Sequence, residues 1–255
     1  MRLATWNVNS LTARMPRVLD WIAEFVPDVL CLQETKQADG AFPVGAFTDL
    51  GYASAHHGDG RWNGVAILSR VGLDHPTRGF SSAEDEYGCR IVAATCGGVR
   101  VHSVYVPNGR SLDHEQYRFK LAWLGRLATF LEETCDPGQD VVVCGDFNIA
   151  PDDRDVWDPS AFTGATHVSE PERRALGVLL DWGLEDLFRR HHEEGGVFSW
   201  WDYRAGDFHE GRGMRIDLVL ASRSLAARSQ GVVIDRNARK GKKPSDHAPV
   251  VVDLA

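Results

Sequence analysis

The chain has 255 residues, a net charge of −8, 43% hydrophobic and 25% charged residues, the balance of a soluble globular protein able to bury a substantial core. No apolar run approaches the roughly 20 residues that span a bilayer, and the start, MRLATWNVNS, lacks the basic and long apolar stretches of a secretion signal. A cytoplasmic protein is expected. Five cysteines at irregular spacing with no C-x-x-C, three of them (Cys31, Cys96, Cys144) in apolar runs, read as buried thiols and not as a disulfide framework or a zinc site.

Strand-like and helix-like patterns alternate along the chain. RLATWNV reads as a first strand, and RMPRVLDWIAEF as a helix with Val18, Leu19, Ile22 and Phe25 on one side and Pro16 near its start. DVLCLQ, GVAILS, CRIVAATC and VRVHSVYV are further strands, the last two separated by Gly97-Gly98. Residues 113–134 form the longest helical stretch, with Leu121, Leu124, Leu127, Ala128 and Leu131 on one side. DVVVCGDF follows as a strand, then a helix near 171–182 and the strands VFSWWDY, RIDLVLAS, GVVI and PVVVDL. No linker or low-complexity segment interrupts residues 1–255, so one domain is expected. Strands outnumber helices and several look paired by tight turns, which favours packed mixed sheets with helices outside over a doubly wound parallel sheet.

Acidic and amide residues recur where the apolar strands stop: Asn7, Glu34, Asp146 with Asn148, Asp217, and Asp246-His247. Each alone suits a turn. Together they suit one job, because hard divalent cations such as Mg²⁺ prefer oxygen ligands. Glu34 with Asn7 and Asp246 can supply that shell, an Asp-His pair can hold a cationic imidazole, and Asp146 with Asn148 can activate and aim a water. These are the parts of metal-assisted phosphodiester hydrolysis. The net charge argues against general affinity for nucleic acid, yet Arg236, Arg239, Lys240, Lys242 and Lys243 crowd one loop just before Asp246-His247. Beside a phosphodiesterase centre, that loop reads as a contact for backbone phosphate. Of the other histidines, His102 reads as a core residue; His56, His57, His167, His191, His192 and His209 read as surface or loop positions.

The strings WNVNS, LQETK, NGVAILSR, YVPNG, GDFNIAP, SWWDYR, RIDLVLAS and PSDHAPV resemble the signature blocks of the endonuclease/exonuclease/phosphatase superfamily. The last three, with LQETK, resemble its exonuclease III and apurinic/apyrimidinic (AP) endonuclease branch. The blocks run in the family's order from residue 5 to residue 250. The resemblance implies a four-layered α/β sandwich, two packed mixed β-sheets flanked by helices. It implies a repair phosphodiesterase that removes nucleotides from 3′ ends of duplex DNA, cleans blocked 3′ ends and cuts 5′ to abasic sites. The cofactor it implies is Mg²⁺, replaceable by Mn²⁺, as one or two ions. Glu34, Asn7 and Asp246 would hold the metal, with a second position at Asp146, Asn148 and His247. Tyr105 would meet the scissile phosphate, Asp146 would move a proton, Asn148 would place the water, and Asp217 would hold His247 on the phosphate.

Arg90, Asn108 and Arg110 would contact backbone phosphates, which fix register without reading sequence. Trp200 would line a pocket for a flipped sugar, with Trp201 in the core. Met214 stands where some AP endonucleases carry a pocket-closing tryptophan and exonuclease III an aliphatic residue, so it leans towards the latter. The implied partner is double-stranded DNA with 3′ ends, nicks or abasic sites, with no membrane contact, bound by a monomer that joins the nucleoid when on DNA. Two other readings are a superfamily phosphoesterase of small molecules or lipids and a catalytically inert DNA-binding module. The first would carry other specificity blocks, and the second would lack at least one catalytic position, whereas all are filled here.

Overall fold

The computed structural model describes residues 1–81 and 85–255. The first half contains β1 (Arg2–Asn7), α1 (Leu11–Phe25), β2 (Val29–Gln33), α2 (Val44–Thr48), β3 (Ala53–His57), β4 (Val65–Ser69), β5 (Asp74–Arg78), β6 (Ile91–Cys96) and β7 (Val99–Tyr105). The second contains α3 (Glu115–Thr134), β8 (Val141–Asp146), α4 (Glu170–Trp182), β9 (Leu184–Asp186), α5 (Leu187–His191), α6 (Asp207–Glu210), β10 (Asp217–Ser222), α7 (Arg223–Ala226), β11 (Ser229–Ile234) and β12 (Val250–Leu254). They form two six-stranded sheets, ordered β11-β12-β1-β2-β4-β3 and β5-β6-β7-β8-β10-β9. Pairing is antiparallel except between β1 and β2 and between β7 and β8.

Two-residue periodicity decides how the sheets stack. Leu3, Val29, Cys31, Ile67, Val250 and Val252 of the first sheet meet Val92, Ala94, Val101, Val142, Cys144, Val219 and Ala221 of the second in one apolar layer. The alternate residues face outwards. Ala4, Trp6, Leu30, Leu32, Ala66 and Leu68 pack on Val18, Trp21 and Ile22 of α1. Val104, Val141, Val143, Leu218 and Leu220 pack on Trp123, Leu124, Leu127 and Leu131 of α3 and on Leu176 and Leu179 of α4. The result is the four-layered mixed-sheet sandwich expected from the sequence. No disulfide joins the five cysteines, and Cys31, Cys96 and Cys144 lie in the inter-sheet layer. No helix among the described residues is long and apolar enough to cross a membrane.

The structure differs from the sequence reading in several elements. Strands β3, β5 and β9, not expected, are all sheet edges. Edge strands need only one pairing partner and tolerate short or polar sequences such as DHPTR, exposed along its whole length. Conversely, VFSWWDY is not a strand. It is clamped between two loops: Trp200 N–H donates to Met214 O and Trp201 N–H to Asp246 O, 2.9 and 3.0 Å. Only isolated bridges join Trp200 to Met214 and to His247. Helix α1 begins at Leu11, so Pro16 lies inside it and not near its start. Adjacent histidines do part across a strand, but His56 is buried on the helix-side face against Phe42, with Nδ1 2.8 Å from Asp39 Oδ1 and Nε2 2.9 Å from Thr35 Oγ1. His102 is fully buried, as expected, with Nδ1 3.1 Å from Val142 O.

Candidate active site

The inward faces of the two sheets carry the site at one end of the sandwich. Along β1 the inward residues are Leu3, Thr5 and Asn7; along β8 they are Val142, Cys144 and Asp146; along β7, Val101, Ser103 and Tyr105. The inter-sheet layer is thus apolar in the middle and turns polar towards one end. Just below that end, Gln33 Nε2 donates to Thr5 Oγ1 and Ser103 Oγ at 2.9 and 3.1 Å, a buried polar layer with its partners in place. Asp217 starts β10 directly opposite Asp146, where β8 ends. Strands β7 and β8 of the second sheet approach closely here: a Cβ on Gly145, at φ 148°, would lie 1.9 Å from Val104 O of the neighbouring strand, so only glycine fits.

One hydrogen-bonded unit spans both sheets. Asn7 Nδ2 donates to Glu34 Oε1 and to Asp146 Oδ2, both at 2.9 Å. The Ser245 hydroxyl donates to Asn7 O at 2.7 Å and accepts from His247 N–H at 3.2 Å, while Trp6 Nε1–H donates to His247 O at 3.1 Å. The turn bearing Asp246-His247 is therefore pinned to the end of β1. His247 Nδ1 lies 2.8 Å from Asp217 Oδ2, and its Nε2 lies 3.8 Å from Asp146 Oδ2. Burial opposes charge on this imidazole, but Asp217, Asp146 and Asp246 outweigh it and raise its pKa to about 10. Burial likewise penalises the Asp146 carboxylate and pushes its pKa up to about 7, against the pull of His247. Tyr105, desolvated and next to Glu34 and Asp146, is raised well above the usual phenol range and stays protonated.

The oxygens beyond Asn7 form a cradle for a cation. Lys36 Nζ lies 2.9 Å from Glu34 Oε2 and 2.7 Å from Asn9 Oδ1. Asn9 Nδ2 donates to Asp246 Oδ1 at 2.9 Å, and Trp200 Nε1–H to Asp246 Oδ2 at 3.2 Å. Glu34, Lys36 and Asn9 all have positive φ (49°, 52° and 44°), backbone that the surrounding bonds must hold in place. Carboxylate and amide oxygens without sulfur suit a hard divalent ion, and the Lys36 ammonium shows that the cradle accepts positive charge. Asp146, Asp217 and His247 also offer three donor atoms within 4.8 Å of one another, although a protonated His247 already supplies a positive charge there.

The structure brings together Asn7, Glu34, Tyr105, Asp146, Asn148, Asp217, Asp246 and His247. Arg90 lies behind Tyr105, its guanidinium 4.8 Å from the ring centroid and donating to Tyr105 O at 3.3 Å. Asn108 stands beside Asn148, to whose Oδ1 its Nδ2 donates at 3.1 Å. Arg110 is exposed, its guanidinium 3.4 Å from His114. Trp200 is half-buried against Met214, Val156 and Phe162, and Met214, 2% exposed, forms the wall behind it; Trp201 is buried. Lys240, Lys242 and Lys243 are exposed.

Arg239 corrects the reading of the basic loop. It is buried among Trp201, Tyr203 and Phe208 and donates to Ser245 O, so it is not available to DNA phosphate. The loop's carbonyls instead bind arginine from α1: Arg17 donates to Ala238 O and Lys240 O at 2.7 Å and to Lys242 O at 3.1 Å. One of the loop's five basic side chains is thus scaffold.

Sequence reasoning missed Asn9, Lys36, Lys120 and His167. Asn9 and Lys36 lie inside the motifs WNVNS and LQETK but two residues from their acidic and amide centres. His167 is a turn residue, as expected, but it is half-buried and not free: its Nδ1 lies 2.6 Å from Asn148 O. Burial and the nearby Lys120 ammonium lower its pKa to about 4, so it is neutral. The signal was S-E-P-E before α4, a capping box in which Ser169 and Glu172 satisfy each other's backbone. Glu172 Oε1 also accepts from His167 N–H and Thr166 Oγ1, and pairs with the buried Lys120.

The endonuclease/exonuclease/phosphatase family profile matches residues 4–247. The chain is a member of that family. It is 36% identical to exodeoxyribonuclease III of Haemophilus influenzae, over 98% of each chain. The structure of an AP endonuclease from Archaeoglobus fulgidus matches with a TM-score of 0.96 at 37% identity, covering 100% of this chain and 99% of that one. That of the 3′ phosphatase NExo from Neisseria, bound to a product DNA hairpin, matches with a TM-score of 0.96 at 39% identity, covering 100% and 99%. This endonuclease/exonuclease/phosphatase protein thus shares its complete sandwich, and not only a motif, with enzymes that cut DNA.

Proposed function

We propose that this enzyme is a Mg²⁺-dependent DNA-repair phosphodiesterase. Its substrate is double-stranded DNA, attacked at 3′ ends, at blocked 3′ termini, at nicks and 5′ to abasic sites. A hydrolytic nuclease of DNA repair is the class to which its full-length relatives belong. The observation that carries the mechanism is the unit Asn7–Asp146–His247–Asp217, with Glu34 attached through Asn7.

Each residue's part follows from its bonding. Both oxygens of Asp146 accept hydrogen bonds, from Asn7 Nδ2 and from Asn148 N–H at 2.9 Å, so this environment binds the carboxylate form. With a pKa of about 7, Asp146 can take a proton from an attacking water near neutral pH. Asn148 Nδ2 donates to Val106 O at 3.0 Å, leaving its second N–H to orient that water. The His247 imidazolium, held by Asp217, turns its Nε2–H to a phosphate oxygen as negative charge develops there. The protonated Tyr105 hydroxyl serves the phosphate or the leaving 3′ oxygen. The water oxygen bonds to phosphorus as the P–O3′ bond breaks, and the departing oxygen ends protonated.

Glu34, Asn7 and Asp246 would hold the divalent ion. When bound, it offsets the charge of substrate phosphate among four carboxylates and polarises the P–O bonds. Arg110 and the three exposed lysines provide backbone contacts, and Trp200 against Met214 forms a wall for an extruded sugar. The enzyme works as a monomer in the cytoplasm, on nucleoid DNA.

Two end-labelled duplexes test the reading, each with Mg²⁺ and then with chelator. One carries an internal abasic analogue and resistant 3′ linkages, the other an ordinary recessed 3′ end. Mg²⁺-dependent shortening or incision is expected. Absence of cleavage on both would overturn the proposal. Shortening much faster than incision would match the aliphatic character of Met214; dominant incision would refute that inference.

A further inference from the structure

We infer that His167 is a positioning residue for the hydrolytic step, acting through Asn108 on the side-chain amide of Asn148; this rests on the proposed role of Asn148. The backbone carbonyl of Asn148 can only accept, so the 2.6 Å contact requires a hydrogen on His167 Nδ1. Lys120 Nζ donates to the same carbonyl at 2.6 Å, which disfavours a second positive charge on the ring. In the neutral ring Nε2 therefore carries a lone pair. It faces Asn108 Nδ2 at 3.5 Å, the long end of a hydrogen bond.

Asn108 is thereby fully committed. One N–H of its Nδ2 points to His167 Nε2 and the other to Asn148 Oδ1 at 3.1 Å; its Oδ1 accepts from Arg110 N–H at 3.1 Å. The chain of bonds His167 Nε2, Asn108 Nδ2, Asn148 Oδ1 joins Val106 O, which accepts from Asn148 Nδ2 at 3.0 Å, in selecting one of the two possible orientations of the Asn148 amide. The oxygen is turned away from the reacting centre and an N–H is left towards it. A flipped Asn148 would set an acceptor against the water's lone pair and two N–H groups against each other. Asn148 itself is at φ 51°, a left-handed conformation that asparagine tolerates, and His167 and Lys120 both bind its carbonyl. The His167 backbone is fixed as well: its N–H donates to Glu172 Oε1 at 2.9 Å and its carbonyl accepts from Ala150 N–H at 2.8 Å.

In this arrangement Asn108 acts first on a neighbouring side chain, and its contribution to DNA affinity is secondary. The test is a double-mutant cycle in the full chain, measuring kcat and KM on a duplex that the unaltered enzyme cleaves. Cleavage by the unaltered enzyme establishes the underlying reading independently. His167→Phe is expected to lower kcat roughly 10- to 100-fold with KM within about twofold. In an Asn108→Ala background the same change should cost less than about threefold, because the link is already cut. His167→Gln, which keeps an acceptor, should recover part of the loss. Equal losses in both backgrounds, or a rise in KM alone, would overturn the inference. Should the phenylalanine variant not fold, His167→Leu, which likewise lacks an acceptor, makes the same comparison in the two backgrounds. Full activity in a folded variant lacking an acceptor at residue 167 would also refute it.

Discussion

Replacing Asp217 with asparagine isolates the electrostatics of the site. Asp217→Asn keeps the shape and an oxygen that can accept from His247 Nδ1, but removes a negative charge 2.8 Å away. His247 is raised from 6.5 to about 10, which corresponds to about 5 kcal/mol favouring the imidazolium. Burial pushes the other way, so this preference exists only through Asp217, Asp146 and Asp246. With the nearest carboxylate gone, the pKa should fall by at least about 2 pH units, which is roughly 3 kcal/mol. The sign of the stability effect follows. A histidine whose folded pKa lies above its unfolded value stabilises most below about 6.5, and that stabilisation is lost as pH rises through about 10. The variant should therefore be less stable than the parent at pH 6, with the gap closing by pH 10.

Asp217 Oδ1 is buried with no hydrogen-bond partner among the described residues, so the introduced amide N–H₂ adds a penalty, but one independent of pH. The assay is imidazole titration by NMR in chelator, with urea unfolding from pH 6 to 10. A His247 that still titrates near 10 in the variant, or a stability gap constant across that range, would refute this electrostatic account. With the imidazolium lost, kcat on duplex DNA should fall roughly 10²-fold.

Other substitutions probe the basic loop, the cradle and the core. Lys240→Ala, Lys242→Ala and Lys243→Ala combined should reduce the slope of log affinity against log salt by about 0.9 per lost contact; Arg239→Ala should leave the slope alone and cost roughly 2 kcal/mol in urea unfolding, since it removes packing among three rings. An unchanged slope in the triple variant would reduce those lysines to solvated surface. Glu34→Gln should abolish most of the rise in melting temperature produced by Mg²⁺ or Mn²⁺; an undiminished rise would place the ion elsewhere. Burial lowers the His102 pKa to about 4, so this residue alone should cost the parent about 3 kcal/mol as pH falls from 6.5 to 4, beside the contribution of His167. His102→Gln should flatten that limb of the stability curve, and an identical limb would exclude His102 as its source.

Much of this was legible in the chain itself. Apolar runs with period two mark central strands, which must pack on both faces, and helical spacing marks α1, α3 and α4. The polar residues that stop those runs, Asn7, Glu34, Asp146, Asp217 and Asp246-His247, all lie at the same end of the sandwich. A strand's periodicity also tells which of its residues face the other sheet. Edge strands such as β3 and β5 escaped because half-paired backbone places little demand on side chains. The segment VFSWWDY beside the catalytic turn carried a strand-like signal and is nonetheless a loop, because its backbone pairs with two other loops.

What only the tertiary structure decided is which charges are available. Arg239 and Lys242 are neighbours in a basic run, yet one is sealed among aromatic rings and the other is in water, because burial depends on what α1 and residues 201–208 place around the loop. His167 read as a surface or loop residue and its ring lies against Asn148, because Glu172 of α4 and the Ala150 N–H hold its backbone there. Residue type and strand period are local properties, and the chain displays them directly. Solvent exposure, tautomer and pKa depend on neighbours distant in sequence, and they exist only once the sheets have packed.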